Sequence, residues 1–77
     1  MNQHMADVTI HIDEAIDRVV RERIQDELRS LDGVMAASSH DNRPHLLVVE
    51  YDPARVNSRQ LLDTVTANGL NAELIGL

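Results

Sequence analysis

The residues best equipped for chemistry in this chain are its four histidines, at positions 4, 11, 40 and 45. Neutral imidazole binds borderline divalent ions, and histidine exchanges a proton close to neutral pH. His40 and His45 flank a polar stretch; together with Asp41 they would make a hairpin-bridging site for Zn²⁺ or Ni²⁺. His4 offers a second geometry. With Met1 removed, Asn2-Gln3-His4 places a histidine third behind a free amine, the square-planar arrangement of Cu(II) or Ni(II), although bulky Asn2 disfavours that removal. His4, His11, His40 and His45 follow no repeating interval, which is more often the pattern of solvated surface histidines, and that is the reading preferred over a metal site. Asp13, Glu14 and Asp17 form a carboxylate cluster suited to Mg²⁺ or Ca²⁺. The simpler account is that they complement the positive end of a helix.

Other chemistry is excluded by composition. The chain of 77 residues has no cysteine, which removes disulfides, thiolate metal sites and thiol nucleophiles. Three scattered glycines make no phosphate-binding loop, and nothing assembles a nucleophile, a base and an orienting group. The chain is predicted to be non-enzymatic, and no cofactor is implied. Seven basic residues, all arginine, stand against 13 acidic ones, and the net charge of −6 repels a phosphate backbone, so nucleic acid is not an expected partner. No apolar run approaches the roughly 18 residues of a membrane span. Met-Asn-Gln-His-Met-Ala-Asp has neither the basic start nor the apolar stretch of a signal peptide, and the expectation is a cytoplasmic protein.

The elements that must position these residues follow from periodicity. Val8, Ile10 and Ile12 alternate with Thr9 and His11, which predicts a half-buried strand with His11 on its outer face. Ile16, Val19, Val20, Ile24, Leu28 and Leu31 recur at helical spacing and predict a helix whose apolar stripe they form. Its outer face offers Glu14–Arg18, Asp17–Arg21 and Arg18–Glu22, each four apart, and Gly33 suits a left-handed cap after it. Val34 to Ser39 is weakly strand-like, and Ser39 to Pro44 has the composition of a hairpin loop. Leu46 to Tyr51 is the best strand, ended by Asp52-Pro53. Asn57 caps a second helix, with Gln60 completing a capping box and Val56 stapling onto Leu61. Leu61, Leu62 and Val65 are its buried stripe, Asn68-Gly69 stops it, and Ala72 to Ile75 is a final strand. The order β-α-β-β-α-β predicts an α+β, ferredoxin-like domain: a four-stranded antiparallel sheet with both helices on one face. Residues 1–6 are expected to be a flexible N-terminus, with a single domain over 7–77.

Tyr51-Asp52-Pro53-Ala54-Arg55-Val56-Asn57-Ser58 resembles the Tyr-Asp-Pro-x-x-Val-Ser/Asn segment of the heavy-metal-associated domains, the modules of copper chaperones and metal-transporting ATPases. Leu31-Asp32-Gly33-Val34 resembles the Leu-x-Gly-Val that closes their first helix, and Leu61, Val65, Asn68-Gly69-Leu70 and Ala72 resemble their second helix and its ending. The resemblance spans Val8 to Gly76. It departs at the metal motif, Met-x-Cys-x-x-Cys, whose cysteines fall near Asp17 and Val20 when counted back from Gly33. A hard carboxylate and an isopropyl group do not replace soft thiolates for Cu(I). The resemblance therefore implies the fold without the metal-transfer chemistry, a degenerate member.

The resemblance also implies that Leu47, Val49 and Tyr51 face the helices. Leu46 and Val48 then point to the open face of the sheet, together with Thr9 and His11 of the neighbouring first strand. A one-residue slip would exchange the two sets. An apolar strip on an uncovered sheet marks association with a protein partner or with a second copy as a homodimer. The first reading is a protein-binding module that uses Thr9, His11, Leu46 and Val48. The alternative is a metal-binding protein for Zn²⁺, Ni²⁺ or Cu(II) with histidine and carboxylate ligands. A small-molecule sensor, by analogy of fold alone, is a third.

Overall fold

The computed structural model describes residues 5–75. Its elements are β1 (Ala6–Ile12), α1 (Arg18–Arg29), β2 (Val34–His40), β3 (Arg43–Tyr51), α2 (Ser58–Thr66) and β4 (Ala72–Ile75). They form one antiparallel sheet in the order β2-β3-β1-β4, with β1 and β3 at its centre. This is the predicted α+β ferredoxin-like arrangement.

Alternation in the strands sets the core. Val8, Ile10 and Ile12 of β1 and Leu47, Val49 and Tyr51 of β3 are buried together with Ile24 and Leu28 of α1 and Leu61 and Val65 of α2. Each fully buried aliphatic side chain of this kind contributes about 1.5–3 kcal/mol, which matters in a domain with no phenylalanine or tryptophan. The second helix follows its sequence signals closely. Asn57 accepts from the Gln60 backbone N–H at 2.8 Å and the Gln60 side chain accepts from the Asn57 N–H at 2.9 Å, a complete capping box. Val56 and Leu61 on either side of the cap are both buried.

Several expectations are corrected. The first helix starts at Arg18, so Asp13 and Glu14 lie before it and only Asp17 touches its end, as the N-cap. Val19 does not join the apolar stripe; it is 73% exposed. It lies five residues from Ile24, about 140° around the helix, whereas Val20, Ile24 and Leu28 stay within one face. Arg21 and Gln25 complete that face and are buried. Of the three predicted helical ion pairs only Arg18–Glu22 forms, at 3.0 Å. The polar loop over Ser39 to Pro44 is shorter than its composition suggests, because β2 runs to His40 and pairs it with Arg43 across Asp41-Asn42. Gly33 has the expected positive φ of 101°, but the helix has already ended at Ser30. Its role is closeness: a Cβ there would stand 2.7 Å from Arg55 Cβ and 3.0 Å from Val56 Cγ1.

Candidate functional site

The predicted thiolate positions are occupied by a helix cap. The Asp17 carboxylate accepts from the Val20 backbone N–H at 2.9 Å, and Val20 packs against the core. The rest of the carboxylate cluster is dispersed. Asp13 Oδ1 lies 3.3 Å from His11 Nδ1. Glu14 turns across to the α2–β4 loop and accepts from the Asn71 backbone N–H at 2.9 Å and from its side-chain amide at 2.8 Å. The backbone N–H of Asn71 favours the ionised form and holds the Glu14 carboxyl below the usual glutamate range.

The histidines regroup. His45 was expected beside His40, yet its ring stacks on His11, with 5.8 Å between centroids and 18° between planes. His45 Nδ1 donates to the Ile12 carbonyl at 2.7 Å, since a carbonyl only accepts. His11 Nδ1 is buried and makes no aligned hydrogen bond, with the Asp13 carboxylate 3.3 Å away. His40 is exposed at the end of β2, where its carbonyl accepts from Arg21 Nη1 at 3.4 Å. His4 lies outside the described residues. Among the described residues no group of three or more histidine, aspartate or glutamate side chains is placed to hold a metal ion.

Arg21 is the least expected buried group, only 5% exposed. Its Nη2 donates to Asp41 at 2.8 Å, and Ser39 donates to Gln25 beside it. These residues, with Arg18 and Glu22, line a polar cleft of about 270 Å³ between α1 and the β2–β3 turn. Two guanidiniums against two carboxylates leave it without net charge, and its bonds fasten the turn to the helix.

The open face of the sheet is fixed by register. Thr9 pairs with Val48 on one side and Ile75 on the other, and His11 pairs with Leu46 and Glu73. Leu47 and Val49 are fully buried, so Leu46 and Val48 point away from the helices and the one-residue slip is excluded. Val48 is 41% exposed. Sequence reasoning missed Ile75, which joins this row once β4 is seen to pair with β1, and missed that Asp7 stands directly opposite Glu50 at one end of the face. The expected alternation in both strands was the signal for the first. No local signal indicates the second.

No helix among the described residues is long and apolar enough to cross a membrane. No protein-family model matches the sequence, and no curated protein sequence matches it significantly. Solved structures do match. The N-terminal domain of a potential copper-translocating P-type ATPase from Bacillus subtilis, in its Cu(I)-loaded state, superposes with a TM-score of 0.84 at 22% identity, covering 94% of this chain and 89% of that one. Oxidized MerP from Ralstonia metallidurans CH34 gives 0.82 at 14% identity, over 94% and 99% of the two chains. The copper binding domain of HMA7, a P-type ATPase, gives 0.81 at 17% identity, over 91% and 93%. This chain thus has the fold of heavy-metal-associated domains, with Asp17 and Val20 standing where the sequence count places the thiolate pair.

Proposed function

We propose that this chain is a non-enzymatic, cytoplasmic binding module that keeps the heavy-metal-associated fold, has given up its thiolate site, and engages another protein through the open face of its sheet. The observation that carries this reading is the row Val48–Thr9–Ile75 with Leu46 beside it, three apolar side chains around a threonine on the face of the sheet away from the helices. The surrounding charge favours a particular kind of partner. Asp7 faces Glu50 directly and Glu73 stands beside His11, so the apolar row is bordered by acids on a chain of net charge −6. Like charges paired across strands cost stability unless an opposite charge arrives. A partner with an apolar centre and a basic rim satisfies both features, whereas a second copy would set acid against acid.

The test is site-specific photocrosslinking in the native host. A photoreactive residue at Val48 should trap a discrete basic partner, and the same residue at Asp63, on α2, should not. Leu46→Asp should abolish the adduct while the domain stays folded. A product of twice the 8.6 kDa chain mass would replace the partner with a homodimer. Equal trapping from both faces, or none, would end the reading.

A further inference from the structure

We infer that His11 and His45 form a two-imidazole site for a borderline divalent cation, Cu²⁺, Ni²⁺ or Zn²⁺, at the end of the sheet where β1 finishes and β3 begins. The site does not rest on the open-face partner, and its chemistry is not that of a thiolate pair holding Cu(I).

Both rings are limited to one nitrogen. His45 Nδ1 carries its proton toward the Ile12 carbonyl at 2.7 Å, so the lone pair of the neutral ring is at Nε2. His11 Nδ1 is buried beside Asp13, 3.3 Å from Oδ1, and a lone pair would be repelled by that carboxylate. The proton of His11 therefore also belongs at Nδ1, which again leaves Nε2 as the donor. A histidine whose other nitrogen is tied to a carbonyl or carboxylate is the arrangement that fixes tautomer and ring orientation at metal sites. His45 has that arrangement through the Ile12 carbonyl, and the stacked His11 has the Asp13 carboxylate 3.3 Å from its own Nδ1 as the group that could complete it.

The spacing suits one ion. Metal–nitrogen bonds of about 2.0–2.1 Å place the centroids of two imidazoles sharing an ion about 5–6 Å apart. The observed separation is 5.8 Å. The rings lie within 18° of parallel, so one must turn for both Nε2 atoms to converge. His11 is free to do so, because its Nδ1 holds no aligned hydrogen bond and the terminal torsion of histidine is broad. That turn can also bring Nδ1–H into line with Asp13. The chain supplies two donors, and water or a donor from another molecule completes the coordination. Imidazole selects late divalent ions over Mg²⁺ and Ca²⁺, and among them Cu²⁺ binds most tightly.

The experiment titrates CuCl₂, and separately ZnCl₂, into the full chain carrying His4→Gln, which removes the N-terminal alternative. One ion bound through two imidazole nitrogens, counted from the Cu²⁺ electron paramagnetic resonance spectrum, is the expected result. Loss of an outer partner of a metal histidine costs about 10–100-fold in affinity, so His11→Gln or His45→Gln should cost at least that, and His40→Gln less than about twofold. If either variant fails to fold, ¹⁵N imidazole spectra of the unmutated chain decide, with Zn²⁺ expected to shift Nε2 of His11 and His45 together. Binding unchanged in both variants, or zinc shifts confined to His4 or His40, would overturn the site.

Discussion

The side chain of Asp17 accepts a hydrogen bond from the backbone of Val20 at 2.9 Å, joining the two positions where the sequence count places a metal-binding cysteine pair. With an extended backbone at Asp17, this is an N-cap that satisfies one of the open N–H groups of α1. At these two positions the structure shows a contact that stabilises the helix end. Asp17→Ala should therefore cost about 0.5–2 kcal/mol, and Asp17→Asn much less, by urea denaturation. Equal stability in all three proteins would show that the cap contributes nothing.

Gly33 and Gly69 give an internally controlled prediction. Both have positive φ, 101° and 80°, so an alanine at either place carries a conformational cost of about 1–2 kcal/mol. At Gly69 nothing lies within 4 Å of the added carbon, whereas at Gly33 it meets Arg55 and Val56. Gly33→Ala should thus lower the melting temperature clearly more than Gly69→Ala. The same fall for both would mean that the turn before β2 yields readily.

What the sequence made legible was what depends on near neighbours. The capping box at Asn57 and Gln60 is a three-residue pattern, and Leu47, Val49 and Tyr51 alternate within one strand, so both were readable and both hold. The open-face placement of Thr9, His11, Leu46 and Val48 followed from that alternation and from the fold. Features that depend on distant partners were not readable. Arg21 looks like a surface residue until Asp41 and the His40 carbonyl come over it from the hairpin. Glu14 reads as part of a helix that it does not enter, because its partner Asn71 lies in another loop. Closeness in sequence points His45 to His40, while the sheet brings it to His11, its Nδ1 on the Ile12 carbonyl.

The Glu14–Asn71 contact has a pH consequence. The folded state holds the Glu14 carboxyl below its ordinary range through the Asn71 backbone N–H, so the unfolded chain takes up this proton first as the solution is acidified. The contribution to stability is complete above the unfolded glutamate value of about 4.3, and it is lost as pH falls from there through the folded value. Melting temperatures measured from pH 6 downward should drop more gently below that point for Glu14→Gln than for the natural chain. Parallel acid limbs would remove Glu14 from the acid transition.

The remaining prediction concerns the exposed edge of the sheet. Strand β2 is an edge strand, Val-Met-Ala-Ala-Ser-Ser-His, with no aspartate, glutamate, lysine, arginine or proline in it. Such an edge invites pairing with another chain, and Met35 on it is 64% exposed. Two features oppose this pairing. The register of β2 against β3 is irregular at Val34/Ala36, where β2 carries an extra residue that bends it, and again at Ser38/His40. Arginines of α1 also reach over to its carbonyls: Arg29 Nη2 donates to Ala37 O at 2.7 Å and Arg21 Nη1 to His40 O at 3.4 Å. Arg29 is the cleaner test, because Arg21 is also buried among the core-facing residues. Arg29→Ala should cost about 0.5–1.5 kcal/mol for the lost bond. It should also raise self-association with concentration in sedimentation velocity, and a further Ala36→Lys on the same edge should reverse the association without restoring the stability. An Arg29→Ala protein that is less stable yet stays monomeric at every concentration would assign the arginine to helix–sheet packing alone and leave the irregular register as the guard of the edge.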